Sequence, residues 1–218
     1  MNLEKLISDN PALHLDVDGS LVNWAVNAKV LKAISGFLKP GMVTLETGSG
    51  HTTIAFGMAG TRHICISPFE DEQQRIRDYL EANDVKHTIN FLTGSSDTIL
   101  TAPGVVPAEL DFVFIDGAHR FPFPCVDFHY TEDKLKLGGI MCVDDVHIPS
   151  VKVLYRFLLK EKEWELVKKV KNTAFFKRVK PTVPYSDWQG QAMNGRFRKM
   201  EELKNPIKKA IRKLIGRS

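Results

Sequence analysis

The stretch "MVTLETGSGHTTIAFG", residues 42–57, has the pattern of a strand that turns into a helix. It opens as an apolar run with β-branched residues, passes the carboxylate of Glu46, and turns through Gly48 to Gly50 into a segment with helical character. A strand that ends in glycines and continues as a helix leaves backbone N–H groups facing a crevice, where an anion or polar ligand can bind. The dinucleotide pattern G-x-G-x-x-G is nearly met, but Thr53 stands where the third glycine belongs. The surrounding sequence must therefore decide which ligand this turn binds.

Length and composition predict one globular domain with a sizeable core. The chain has 218 residues, of which 43% are hydrophobic and 26% charged. No apolar run approaches the roughly 18 residues of a membrane span, and the start "MNLEKLISDN" lacks the pattern of a secretory signal, so we expect a cytoplasmic protein. Cys65, Cys125 and Cys142 lack C-x-x-C spacing, which argues against a disulfide framework or a zinc site.

Strand and helix patterns alternate along the chain. A helix is expected from an N-cap at Ser20 to Leu38. The strand candidates are residues 42–46, 63–67, 87–92, 111–116 and 139–144, and the helical stretches between and after them lie near 52–59, 71–82, 96–101, 122–136 and 150–160. Near-continuous apolar strands separated by helices indicate a parallel sheet covered on both faces. "WELVKKV" and "TAFFKRV" are joined too closely for a helical crossover and form a hairpin. We therefore predict a doubly wound, Rossmann-like α/β fold with a mostly parallel seven-stranded sheet and a C-terminal antiparallel hairpin.

The charge divides the chain into residues 1–190, a single α/β domain, and residues 191–218, a basic tail. The tail carries nine Lys and Arg against Glu201 and Glu202, a net charge of 9 − 2 = +7. Asn205 as N-cap and Pro206 at the first helical position introduce a short amphipathic helix. Its apolar face would hold Ile207, Ala210, Ile211, Leu214 and Ile215. We expect this face to dock on the body or on a second subunit of a homo-oligomer, with an anionic surface or nucleic acid as the alternative.

Four motifs, in order, carry a family resemblance that covers residues 20–180. They are "ETGSGHTT", "ISPFEDEQ", "FIDGAH" and "LKLGGIMCVDDV". Their order resembles the class I S-adenosylmethionine-dependent methyltransferases, and the last two look especially like the O-methyltransferase branch that includes catechol-type and macrolide-sugar enzymes. The resemblance implies S-adenosylmethionine as cofactor and a small-molecule or sugar hydroxyl as acceptor.

The resemblance also implies a set of cofactor-binding residues. They are Glu46, Thr47, Gly48, Ser49, Gly50, Ser67, Glu70, Ser95, Ser96 and Asp116. Glu46 would meet the ammonium group of the cofactor. Two positions depart from the family pattern: Ser67 replaces the acid that binds the ribose, with Glu70 one turn later, and Ser95 replaces the acid near the adenine. A hydroxyl can hydrogen-bond these groups but without charge assistance.

An acidic cluster is expected at the ends of the fourth and fifth parallel strands. Asp116, Asp144 and Asp145 would repel one another there unless they are protonated or bridged by a cation. Oxygen ligands suit Mg²⁺, and catechol-type relatives bind a metal with Asp, Asp and Asn at matching positions. The alternative is that Asp144 or Asp145 caps the next helix. Asp116, His119 and His147 are the catalytic candidates, with either histidine as the base.

Two other functions stay open from the sequence. An NAD-dependent oxidoreductase is favoured by the near-fingerprint and by Glu70, which follows Gly50 by 20 positions, but the terminal hairpin and Thr53 oppose it. A nucleic-acid-binding or RNA-methylating protein is suggested by the basic tail. Binding of nicotinamide cofactors and of RNA would distinguish these alternatives.

Overall fold

A computed structural model describes residues 1–181 and 190–204, together with Pro206 and Ile211. The helices are α1 (Leu3–Asp9), α2 (Ala28–Ser35), α3 (His51–Met58), α4 (Glu70–Ala82), α5 (Ser96–Ile99), α6 (Phe123–Thr131), α7 (Pro149–Leu158) and α8 (Gly195–Lys204). The strands are β1 (His14–Leu15), β2 (Leu21–Val22), β3 (Val43–Thr47), β4 (Arg62–Ser67), β5 (Thr88–Thr93), β6 (Leu110–Ile115), β7 (Leu135–Val143), β8 (Trp164–Val170) and β9 (Thr173–Arg178).

Seven strands form the main sheet in the order β5-β4-β3-β6-β7-β9-β8. The strands from β3 to β7 pair in parallel, and β9 and β8 close the sheet in antiparallel pairing. This confirms the predicted fold. The strand order reverses between β3 and β6, and in open α/β sheets ligands bind in the crevice at such a point, beyond the carboxyl ends of the strands.

Apolar side chains cover both faces of the sheet. On one face, Val113 and Ile115 of β6 pack with Leu154 of α7 and Phe128 of α6. On the other, Phe112 and Phe114 of the same strand belong to the cluster that holds residues of α2 and α3. The alternation along β6 follows from the two-residue period of a strand. Both faces of β6 are therefore buried, which fixes its carboxyl end at the crevice.

Two helix predictions were wrong at their boundaries. The helix expected from Ser20 begins at Ala28, because the side chain of Asn27 caps it by accepting a hydrogen bond from the Lys29 amide at 3.0 Å. The residues before it include β2, which pairs with β1 as a small hairpin. The helix expected over 122–136 ends at Thr131, since Leu135 already begins β7. Helix α1 lies in a segment for which no element was predicted.

The start of the predicted tail contacts the body. The amides of Ala192 and Met193 donate hydrogen bonds to the Glu161 carboxylate at 3.0 and 2.9 Å. The amphipathic helix predicted from Asn205 onward lies outside the described residues except at two positions, of which Ile211 is 52% exposed. In the described part of the chain, no helix is long and apolar enough to cross a membrane.

Candidate active site

A cleft of about 830 Å³ opens at the carboxyl ends of β3 and β6, where the strand order reverses. Its walls come from the glycine turn after β3, the loops after β4, β5, β6 and β7, the β8–β9 turn, and the segment before α2. Apolar and polar groups share the lining. A pocket with these properties at this place in an α/β sheet is the expected position of a ligand.

Gly48 brings the loop after β3 into contact with the loop after β6. Its φ of +94° favours glycine, and a Cβ built on it would overlap the carbonyl oxygen of Asp116 and lie 2.9 Å from the carbonyl carbon. Opposite, a Cβ on Gly117 would lie 3.3 Å from the Cβ of Thr47. The two glycines therefore let the loops pass closely and place Asp116 beside the turn.

Glu46 does not line the cleft. It is 1% exposed and points to the α3 side of the sheet, where its carboxylate accepts hydrogen bonds from the hydroxyls of Thr52, at 2.8 Å, and Thr53. His63 Nε2 lies 3.1 Å from the same carboxylate. Glu46 therefore anchors the first turn of α3, and this position gives no support to the predicted contact with an ammonium group.

Because Glu46 is buried with three partners, we expect Glu46→Ala to act on stability. The change leaves two hydroxyls and an imidazole without their acceptor, which costs about 3 kcal/mol in total. For a chain of this size that corresponds to a fall in Tm of about 6–12 °C. Thr52→Ala removes a single donor and should cost about 1 kcal/mol. A Glu46→Ala protein with wild-type Tm that fails to bind cofactor would contradict the anchoring role.

Most of the other predicted cofactor residues line the cleft. Those that do are Thr47, Gly48, Ser49, Ser67, Ser95, Ser96 and Asp116. Gly50 and Glu70 do not. Glu70 begins α4. The acid of this helix that lines the cleft is Glu72, two positions further along the chain. Three of the four residues from 70 to 73 are acidic, so the sequence alone could not select the one that faces inward.

Two further groups of the cleft were missed by the sequence analysis. His14 and Trp24 both line it, and their rings stack with centroids 5.5 Å apart. His14 Nδ1 lies 2.6 Å from Glu72 Oε2. The N-terminal segment carries no recognisable motif, so no sequence signal placed these residues at the site.

His119 lies between two carboxylates at the β6–β7 side of the cleft. Its Nε2 is 3.5 Å from Asp116 Oδ1 and 3.6 Å from Asp145 Oδ2. These are ion-pair distances, without the geometry of a hydrogen bond to either oxygen. A cation or a proton was expected between the acids, and the imidazole lies between Asp116 and Asp145.

The environment raises the pKa values of both members of the Asp116–His119 pair. Burial raises the pKa of Asp116 to about 7, against the opposing effect of His119. The interaction with Asp116 raises the pKa of His119 above 6.5, while burial opposes the rise. The two groups therefore titrate as a pair that holds a proton near neutral pH.

The three aspartates do not form a metal cage. Asp144 Oδ1 accepts a hydrogen bond from the Thr173 hydroxyl, whereas Asp116 and Asp145 flank the His119 ring. Among the described residues, no group of three or more His, Cys, Asp or Glu side chains is placed to hold a metal ion. The predicted magnesium site at Asp116, Asp144 and Asp145 thus has no support in this arrangement.

His147 lies farther from the cleft than His119. Its Nδ1 is 3.5 Å from Asp145 Oδ1, its side chain is 56% exposed, and it does not line the cleft. Of the two histidines predicted as candidate bases, only His119 is thus at the ligand site.

Comparison with known proteins agrees with this geometry. Residues 45–146 match the family model of a methyltransferase domain. The O-methyltransferase TomG from Streptomyces achromogenes, involved in tomaymycin synthesis and solved with S-adenosylmethionine, has a TM-score of 0.61 and 18% identity over 83% of this chain and 100% of that one. An O-methyltransferase from Bacillus cereus solved with SAH, S-adenosylhomocysteine, has a TM-score of 0.64 and 17% identity over 82% of this chain and 90% of that one.

A curated protein from Actinobacillus succinogenes, named uracil-DNA glycosylase, is 26% identical over 137 residues. The match covers 62% of this chain and 55% of that protein, so the chain spans about half the length of this relative. The family model covers β3 to the loop after β7, which are the elements that build the cleft. Residues 45–146 thus match a methyltransferase domain, and the strand arrangement of the chain is shared with both O-methyltransferases.

Proposed function

We propose that this chain methylates a hydroxyl oxygen of a small molecule or sugar and that His119 is the general base. The observation that carries the proposal is the position of the His119 imidazole, on the cleft wall between Asp116 and Asp145. An imidazole that titrates near neutral pH can take a proton from a hydroxyl nucleophile. Both O-methyltransferases in the comparison share the fold, and TomG is involved in tomaymycin synthesis.

The reaction needs little covalent chemistry from the protein. Bound S-adenosylmethionine supplies a methyl group on a positively charged sulfur. His119 accepts the hydroxyl proton while the oxygen forms its bond to the methyl carbon, and the electron pair of the broken carbon–sulfur bond remains on the sulfur. The products are a methyl ether and SAH. The cleft contributes mainly by aligning the two substrates.

The lining divides the cleft between the two substrates. Ser67 ends β4, and Ser49 and Ser95 follow β3 and β5, so we infer that the cofactor binds on that side. Asp144 and Asp145 follow β7, on the other side of Asp116. Carboxylates are hydrogen-bond acceptors, so this side favours an acceptor that presents hydroxyl groups.

Calorimetry with SAH, followed by methyl transfer from radiolabelled S-adenosylmethionine to a panel of phenols, catechols and sugars, tests the proposal. We expect SAH to bind and label to appear on oxygen. No binding of SAH at millimolar concentration to folded protein would refute the function. Activity should also be measured in excess chelator. A loss of activity that added Mg²⁺ restores would favour a metal-assisted reaction over His119 alone.

The pH dependence of kcat/KM provides a prediction. The base must be neutral, and the carboxylates beside His119 raise its pKa, so activity should rise with pH through a limb centred above pH 6.5. Asp145→Asn removes one of these negative charges and lowers the pKa of His119. We therefore expect the limb to move to lower pH in Asp145→Asn. A limb that stays in place would show that another group limits the rate.

The other candidate functions receive less support. The methyltransferase family match and the β8–β9 hairpin favour a methyl donor over a nicotinamide cofactor. Nucleic-acid binding rests on the basic tail and on the name of the relative from Actinobacillus succinogenes. The same preparation should be tested for release of uracil from DNA and for a salt-dependent RNA gel shift. We expect neither result to differ between the wild type and His119→Ala.

A further inference from the structure

The N-terminal segment, residues 10–27, forms one wall of the cleft although it lies outside the region that matches the methyltransferase model. His14, Trp24 and Asn27 face the cleft. Helix α1 precedes this wall, and Leu6 and Leu13 anchor it because they are buried in the cluster with Ile76 of α4. The site is therefore built from two parts of the chain that are distant in sequence.

One face of α4 contacts this segment at two points and the end of α1 at a third. Glu72 Oε2 lies 2.6 Å from His14 Nδ1, Arg75 Nε donates to the Leu13 carbonyl at 2.7 Å, and the Tyr79 hydroxyl donates to Asp9 at 2.6 Å. Positions three and four residues apart share a helix face. Of the three, Glu72 alone lines the cleft.

Glu72 also contacts the glycine turn. Its other oxygen accepts a hydrogen bond from the Ser49 hydroxyl, and the residue is only 5% exposed. An ionised carboxylate has about four acceptor positions. His14 and Ser49 use two of them, which leaves two for a ligand with neighbouring hydroxyl groups.

The residue that the family resemblance assigns to the ribose is a serine, whose hydroxyl would bind a diol without charge assistance. Ser67 is 1% exposed, and its hydroxyl is 3.4 Å from the Phe69 amide, from which it accepts. Glu70 lies outside the lining. Glu72 is thus the carboxylate on this side of the cleft.

We propose that Glu72 binds the ribose diol of the cofactor while it holds His14, so that residues 10–27 complete the cofactor site. This inference rests on the proposed methyltransferase function. By linkage, cofactor binding and docking of the N-terminal segment then favour each other.

A thermodynamic cycle tests the ribose contact. SAH and its 2′-deoxy analogue are titrated by calorimetry into the wild type, Glu72→Gln and the matched control Glu70→Gln. Loss of the hydroxyl should weaken binding about 10- to 100-fold in the wild type and in the control. In Glu72→Gln, SAH should bind about 10- to 100-fold more weakly than in the wild type, and the difference between SAH and the deoxy analogue should largely vanish.

Hydrogen exchange tests the coupling. SAH should slow amide exchange in residues 10–27 of the wild type and of Tyr79→Phe, which loses the hydrogen bond to Asp9 at the end of α1, away from the cleft. His14→Ala should lose this protection, and His14→Asn, whose amide can replace the Nδ1 donor, should regain part of it.

Two results separate failure of the inference from failure of the function. If the wild type does not bind SAH, the methyltransferase proposal falls and this inference with it. If the wild type binds SAH but Glu72→Gln keeps the full deoxy penalty, or His14→Ala keeps the full protection, the inference alone is wrong. Should Glu72→Gln fail to fold, Glu72→Asp serves instead, since it keeps the charge and withdraws it by one methylene.

Discussion

Replacing His119 with alanine should lower kcat by about 10²- to 10⁴-fold, the range that a positioned general base contributes. The change removes the proton acceptor that lies 3.5 Å from Asp116 and 3.6 Å from Asp145. The affinity for SAH should stay near that of the wild type, because the cofactor-side lining from Ser49 to Ser95 is untouched. Steady-state kinetics and calorimetry on the same preparation measure both quantities.

His147→Ala is the matched control. It removes an imidazole that also pairs with Asp145, at 3.5 Å, but does not line the cleft. We expect less than about a tenfold change in kcat, well below the range for a general base. A large loss of kcat in His147→Ala, together with an active His119→Ala, would show that His147 and not His119 accepts the proton.

The His119 position also explains how an acidic cluster is tolerated without a metal cage. Two carboxylates that share a site repel each other unless a positive charge or a proton lies between them. Here an imidazole with a raised pKa supplies the charge, and Asp144 is satisfied by Thr173. If His119 is the base, as we propose, the same imidazole balances the charge of the cluster when it is protonated and accepts a proton when it is neutral.

The strands of the parallel sheet could be predicted from the sequence because buried parallel strands are continuous apolar runs. The run "DFVFID" predicted β6 to within one residue at each end, and both of its faces are indeed covered. The start of α2 was missed because the helical spacing of apolar residues begins before the cap at Asn27. Periodicity identifies an element better than it identifies its ends.

Side-chain direction was harder to predict than position. Glu46 and Glu72 are both buried acids near the glycine turn, yet Glu46 lies against Thr52 and Thr53 whereas Glu72 faces the cleft. The role of Glu46 depends on which face of β3 it occupies. That of Glu72 depends on an N-terminal segment whose docking no local pattern encodes.

Gly48→Ala should remove both cofactor binding and a large part of the stability. The new Cβ would overlap the Asp116 carbonyl oxygen, and the backbone at φ +94° disfavours any side chain. Overpacking and backbone strain together should cost roughly 3 kcal/mol, or about 6–12 °C in Tm. The loop that carries Asp116 must shift, so SAH should no longer bind at concentrations that saturate the wild type.

Gly41→Ala separates the strain from the overlap. Gly41 has a similar φ, +81°, but a Cβ built there meets no atom within 4 Å. We expect it to lose only the 1–2 kcal/mol of backbone strain, roughly 2–8 °C in Tm, and to bind SAH normally. If Gly48→Ala behaves like Gly41→Ala, the two loops can move apart without harm. The position of Asp116 in the cleft would then not depend on the contact at Gly48. If Gly48→Ala alone loses SAH binding, the close passage of the two loops is what sets the geometry from which His119 acts.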